Sequence, residues 1–304
     1  MLTLLAKAAL YRPDSDVERL PQLPEYTQRS LHSITPVHCR NYNNLVNWQP
    51  GHKQHIHPNY IQTLTLPMQL QMMTTSPFPF RALGLVHIAN RINVFKLPKY
   101  NDTLELNTYF GQVFAHKRGF VFEMHSDASK SGTVALKATS YYLARSASDA
   151  QCYGLPEFTE SMLLNACSAE ALQPEPAVSS KKLSTLNFSK NIGRQYARVS
   201  GDYNPIHLWP LTSRLFGFKK AIAHGMYSHA LAVSAINQAR AIDLSAKVSI
   251  RAMFKQAILL PQAADCVIKP CGEHSLGFRL FSEDQAHPQK VRQHLNGCVT
   301  PLKV

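Results

Sequence analysis

Residues 224–239, "HGMYSHALAVSAINQA", are apolar nearly all the way round when set on a helix. A helix of that kind has to be buried on most of its faces. A similar run stands earlier in the chain: residues 57–73, "HPNYIQTLTLPMQLQMM", also open on histidine and stay apolar for about four turns. Each run leads into a related string, "LVHIANRINVFKLPKYNDTLEL" in the first case and "KVSIRAMFKQAILLPQAADCVI" in the second. Both strings carry Phe-Lys (Phe95-Lys96, Phe254-Lys255), then a proline (Pro98, Pro261), then an acid (Asp102, Asp265). Self-similarity on this scale marks an internal duplication.

The segments beyond each helix alternate at period two: "TLELNTYFGQVFAH", "GFVFEMHS" and "VALKATSYYLAR", then "HSLGFRLFS" and "VRQHLNGCVT". Such alternation reads as half-buried strands. Each half is therefore expected to be one long helix followed by antiparallel strands, with a curved sheet wrapped round the helix. The fold class is α+β, not a parallel α/β sheet. Residues 1–24 read as a leader, 25–147 as the first unit, 148–177 as a linker containing "QPEPAVSS", and 178–304 as the second unit. "MLTLLAKAAL" lacks a basic start and a small-residue cleavage site, so it reads as a short amphipathic helix and not as a signal peptide. The repeat is imperfect. Pro58 replaces Gly225, and Pro67 lies inside the first helix, where a kink is expected.

The bulk composition narrows the field. With 45% hydrophobic and 17% charged residues, the 304-residue chain is globular and has no run suited to crossing a bilayer. None of the six cysteines forms a C-x-x-C pair, which suggests reduced thiols in a cytoplasmic protein. The net charge of +13 could serve nucleic acid, a membrane surface or an anionic small molecule or protein. No dense basic run or reading module is present, so nucleic acid is set aside. Phosphorylated cofactors, acidic carrier proteins or a plainly basic surface remain.

The chemistry concentrates in "SGDYNPIHLWPLTSRLFGFKKAIAHGM", residues 200–226. On one continuous helix Asp202 and His207 would point about 140° apart. The sequence prevents that helix. Ser189 is a plausible N-cap for "KNIGRQYARVS", Gly201 a plausible stop, and Asn204 before Pro205 favours a turn. A bent segment can aim both side chains at one water, as acid/base chemistry requires. Gly225 falls in the first turn of the buried helix, where backbone N–H groups lack intrahelical partners and suit a developing oxyanion. His224 reads either as a substrate contact or as a residue that orients the loop through a backbone hydrogen bond. Met226, Tyr203 and Tyr227 read as pocket wall or core.

"YARVSGDYNPIHL" together with "AIAHGM" resembles the MaoC-like family of (R)-specific enoyl-CoA hydratases and 3-hydroxyacyl dehydratases, and the whole chain resembles its double hot-dog form. The resemblance implies a degenerate first half and a catalytic second half. It implies that Asp202 and His207 hold one catalytic water, that Asn204 shapes the site, and that Gly225 N–H meets the thioester carbonyl. Substrate contacts are expected from Asn204, His224, Met226, Tyr203 and Lys255, with Lys219 and Lys220 as further candidates for phosphates or an acidic carrier. No metal or cofactor is implied beyond the coenzyme A or acyl carrier protein of the substrate. The first half is expected to cover the acyl tail, its kinked helix admitting medium or long chains. A monomer or homodimer would suffice.

Three other readings compete. The same chemistry could run as a dehydration on acyl carrier protein. Thioester hydrolysis is disfavoured, since "HGMYSHALAVSAINQAR" has no carboxylate. A non-catalytic acyl-thioester binder is also possible, and His52, His55 and His57 in "HKQHIHP" could be zinc ligands, though no Cys or carboxylate stands near them.

Overall fold

In the computed structural model, the described residues are Lys7, Leu10, Tyr11 and 20–49, 56–146, 153–164, 180–245, 247–284 and 287–302. Lys7 and Leu10 are helical; the rest of the expected leader helix, with His52, His55, Cys152 and Cys167, lies outside them.

Among the described residues, ten strands form one antiparallel sheet. They are β1 (Thr27–Ser33), β2 (Val86–Val94), β3 (Thr103–His116), β4 (Gly119–Lys130), β5 (Thr133–Arg145), β6 (Lys181–Phe188), β7 (Val248–Phe254), β8 (Gln262–Gly272), β9 (Ser275–Asp284) and β10 (His287–Pro301). The helices are α1 (Pro36–Leu45), α2 (Tyr60–Met73), α3 (Glu160–Leu164), α4 (Ile192–Ser200), α5 (Pro205–Leu208), α6 (Pro210–Arg214) and α7 (Gly225–Gln238).

The strand order, β1-β3-β4-β5-β2-β7-β10-β9-β8-β6, reads the same from either edge once β1–β5 are matched with β6–β10. The duplication seen in the sequence is thus carried in the topology. The two halves meet at β2 and β7, with Ala89 opposite Met253, Ile92 opposite Ile250 and Val94 opposite Val248. Each half sets one long helix, α2 or α7, against the sheet, and in α7 every residue from Met226 to Ile236 is buried. One continuous apolar core includes both helices and both sheet halves. A second cluster on the opposite face packs Phe158, Leu163 and Leu164 against Phe114 and Tyr141. Part of the stretch expected to be linker therefore folds as α3 and covers the sheet.

Several expectations need correction. Each half begins with an edge strand, β1 or β6, before its helix, whereas the sequence suggested only strands after it. Both edge strands carry many exposed residues, so their hydrophobic alternation is weak. The helix α4 starts at Ile192 with Asn191 as N-cap, not at Ser189. Pro67 lies inside α2, as the sequence suggested. The thiols are not all reduced. Cys39, Cys266 and Cys298 are free and buried, but Cys271, at the half-buried end of β8, is in a disulfide whose partner is outside the described residues. Spacing along the chain could not reveal that approach in space. No helix among the described residues is long and apolar enough to cross a membrane.

Candidate active site

The helix α4 stops where Gly201 takes a left-handed conformation, φ 76°, which closes its last turn through Gly201 N–H to Ala197 C=O. The chain then turns on side chains. Ser200 Oγ accepts from Asp202 N–H at 3.1 Å, and Asp202 Oδ1 accepts from Asn204 N–H at 3.2 Å. Asn204 caps α5 by accepting from Ile206 N–H at 3.4 Å, with Pro205 in the first turn. These bonds make the bend that brings Asp202 and His207 together.

The segment before α7 is stitched to α5. Ile222 N–H donates to Ile206 C=O at 3.1 Å, and His207 Nδ1–H donates to Ile222 C=O at 2.9 Å. That second bond fixes the neutral tautomer and leaves the Nε2 lone pair free. His224 Nε2–H donates to the Asp202 backbone carbonyl at 2.9 Å, and its ring stacks on His207 with centroids 3.7 Å apart. One ligand-type atom from each of Asp202, His207 and His224 lies within 4.8 Å of the others. The Asp202 side chain keeps 35% exposure while both imidazoles are buried, so the group is reached from the aspartate side. A surface hollow of about 710 Å³ runs along β1 and β3, lined by Thr27, Arg29, Glu105 and Asp127 among others.

Electrostatics divide the labour. Burial pushes the Asp202 carboxyl up, but His224, His207, the Asn204 N–H and His87 outweigh it, and its pKa ends below the usual carboxylate value. Burial pushes His207 below the usual histidine value against the pull of Asp202, and His224 down to about 3. At neutral pH the site holds an ionised carboxylate beside uncharged imidazoles. Both are proton acceptors. The three groups form no convincing metal centre, because the ring planes of His207 and His224 are only 26° apart and their in-plane lone pairs do not converge on one ion.

Gly225 is the first residue of α7, with His224 as N-cap. A Cβ at Gly225 would lie 3.0–3.1 Å from the ring of Phe254. The sequence suggested that a ligand exploits the missing side chain; in the structure Phe254 does so first. Met226 and Tyr227 belong to the main core, and the Tyr227 hydroxyl bonds to Leu45 C=O at 3.4 Å. Tyr203 is half-buried in the loop. Lys255 is not available as a free cation, since its Nζ pairs with Glu160 on α3. Lys219 and Lys220 are exposed. His57 is no metal ligand: its Nδ1 accepts from Asn59 N–H at 2.9 Å and its Nε2–H donates to Ala230 C=O at 3.1 Å.

Two contributors escaped the sequence reading. A Cβ at Gly193 would come within 1.9 Å of the His207 carbonyl oxygen, so this glycine lets α5 lie against α4. An isolated glycine in a helical pattern was the available signal. His87, on β2 of the first half, feels the Asp202 charge; burial lowers it to about 4 while Asp202 and the Ala89 backbone pull it up. Nothing in its local sequence marks it.

Two hot-dog units stand side by side in one sheet, with an Asp–His pair at the tip of one central helix. Residues 172–272 match the family described as MaoC like domain. Over 249 residues it is 28% identical to 3-hydroxyacyl-thioester dehydratase X of Mycobacterium tuberculosis, covering 82% of this chain and 81% of that protein. The crystal structure of HtdX from the same organism superposes with a TM-score of 0.71 at 24% identity, covering 91% of this chain and all (100%) of that one. A conserved hypothetical protein of M. tuberculosis described as a double hotdog fold superposes at 0.57 with 10% identity, covering 92% and 97%.

Proposed function

We propose that the protein is a hydro-lyase that interconverts trans-2-enoyl and (R)-3-hydroxyacyl thioesters. The observation that carries this reading is the meeting of Asp202 and His207 within 4.8 Å beside the first turn of the buried helix α7. Similarity to a 3-hydroxyacyl-thioester dehydratase supports it.

In hydration, the water held by Asp202 and His207 adds its oxygen to C3. One of its protons passes to the pair, and a proton is delivered from the pair to C2, so the pair ends with as many protons as it began. Asp202 is the more exposed member and ionised; His207, with Nδ1–H tied to Ile222, presents Nε2 as a base. Negative charge building on the thioester oxygen is met by Gly225 N–H, and one donor of that kind contributes about 3 kcal/mol at the transition state. His224 and Asn204 hold the loop that presents Asp202. No cofactor enters, since water is both nucleophile and proton source.

Coenzyme A and acyl carrier protein both remain carriers under this proposal. The exposed Lys219 and Lys220, with Arg214 exposed on the nearby α6, favour an anionic carrier of either kind. Such substrates imply a cytoplasmic enzyme, and a chain that already holds both hot-dog units can act as a monomer. Loss of the enoyl-thioester absorbance is to be followed with crotonyl-CoA, decenoyl-CoA and crotonyl acyl carrier protein. Hydration of at least one is expected. Tight binding of all three with no loss of absorbance would replace the enzyme with an acyl-thioester binder.

A further inference from the structure

His87 and Asn90 are three residues apart on β2, yet they share the inner face of the sheet. The register explains this. His87 pairs with Tyr142, Ala89 with Tyr141 and Asn90 with Ser140, so Ile88 is an extra, bulged residue. Without the bulge, period two would send His87 to the outer face with Ala89. Tyr142 and Ser140 both turn towards α2, where the Tyr142 hydroxyl donates to Gln69 at 2.7 Å and Ser140 Oγ donates to Gln62 at 3.2 Å.

The imidazole of His87 stacks on Tyr142, 4.8 Å between centroids, and meets Phe254 edge-on at 5.2 Å. Phe254 is the ring that lies over Gly225. His229 of α7, fully buried, also meets Phe254, 6.5 Å between centroids. The Nε2 of His87, both nitrogens of His229 and the Oδ1 of Asn90 are buried and meet no hydrogen-bond partner among the described residues. Polar groups are rarely buried this way without a purpose, because each loses its water and gains nothing in return. Here His87 and His229 both pack on Phe254, the ring over the helix tip to which the thioester carbonyl is assigned; Asn90 donates to Ser140, and the surrounding Gln62, Gln69, Ser126 and Ser140 already satisfy one another. An unsubstituted alkyl chain passing this point would leave every one of them unpaired.

We propose, resting on the reaction above, that His87, His229 and Asn90 form a polar acyl pocket, and that the preferred substrates are 2-enoyl thioesters carrying an oxygen function on the acyl chain. The first half then completes the active site and sets its specificity, and it replaces the long alkyl tunnel expected from Pro67 with a hydrogen-bonding wall.

The test compares kcat/KM for 2-hexenoyl-CoA with that for its 4-, 5- and 6-hydroxy analogues, with crotonyl-CoA as the reference for the basic reaction. At least one hydroxylated analogue should exceed hexenoyl-CoA by about tenfold or more, since a site built to hydrogen-bond an oxygen rejects the analogue lacking it. His87→Leu should erase that preference, and His87→Gln, which keeps a polar atom, should retain part of it. Equal or better use of hexenoyl-CoA by the wild-type enzyme would overturn the proposal and leave water alone as the partner of these groups. A full preference persisting in both His87→Leu and His229→Leu would overturn it as well. Hydration of crotonyl-CoA without any oxygen preference would remove this proposal and spare the hydratase reading; no turnover of any substrate would remove both.

Discussion

The two central helices begin in the same way and end up with opposite duties. Both open on a histidine of the repeat, His57 before α2 and His224 before α7. His57 is sealed into the core with both ring nitrogens engaged, one by the Asn59 N–H and one by the Ala230 carbonyl, and its ring sits edge-on to Trp48 at 4.6 Å. His224 also spends one nitrogen on a backbone carbonyl, but that carbonyl belongs to Asp202, and its ring lies on His207. The same residue at the same place in two copies thus closes one helix start and furnishes the other. The difference comes from the chain before each helix: the second half has a turn built by Ser200, Asp202 and Asn204, and the first half has nothing like it among the described residues.

If the halves are divided in this way, the largest effects on turnover must come from that turn. Replacing Asp202 by Asn or His207 by Ala should lower kcat by about 10²- to 10⁴-fold, the usual worth of general acid/base groups, with the thermal transition retained. Wild-type rates in both variants would end the proposed mechanism.

Acid should act on both halves together. Burial lowers His57, His224 and His229 to about 3 and His87 to about 4. The folded state then resists protonation where the unfolded chain accepts it. Above about pH 6.5 these groups contribute no pH dependence; below it, stability should fall by about 1.4 kcal/mol per pH unit for each histidine. Asp202, held low in the fold, adds to the loss only nearer its own ordinary range. Denaturant midpoints measured between pH 7.5 and pH 5 report the slope, and a flat profile would contradict buried neutral imidazoles.

Smaller effects separate shape from chemistry. Gly225→Ala pushes a methyl group into the Phe254 ring at 3.0–3.1 Å, and overpacking of that kind costs about 1–3 kcal/mol. Activity should fall, and Phe254→Leu on the same background should recover part of it; no recovery would mean that the glycine matters for another reason. In the first half, Ser126→Ala removes the acceptor of the Gln69 amide at 3.1 Å. It should cost about 1 kcal/mol of stability by chemical denaturation and leave kcat on crotonyl-CoA unchanged. A catalytic defect there would show the halves to be more equal than their sequences suggest.

Much of this was legible in the sequence. The two all-round apolar runs marked the central helices, and the repeat of Phe-Lys, proline and acid anticipated the mirrored strand order. The stop at Gly201 and the bend at Asn204 and Pro205 could be read because they are local and act on their own backbone, whereas the cap was placed at Ser189 and falls at Asn191. The edge strands β1 and β6 were not legible, because exposed strands lose the alternation that reveals buried ones. Nor was the place of His87, which depends on a bulge at Ile88 and on pairing between β2 and β7, contacts made by residues far apart in the chain. Gly193 is a further case: its neighbour in space, His207, cannot be inferred from the helix it interrupts.

The most direct test monitors the enoyl-thioester absorbance of crotonyl-CoA with the wild-type protein and with folded Asp202→Asn side by side. Loss of the band is predicted with the wild type, and a rate at least about 10²-fold lower with the variant. Equal rates, or an unchanging band with the wild type, would contradict an Asp202–His207 acid/base pair.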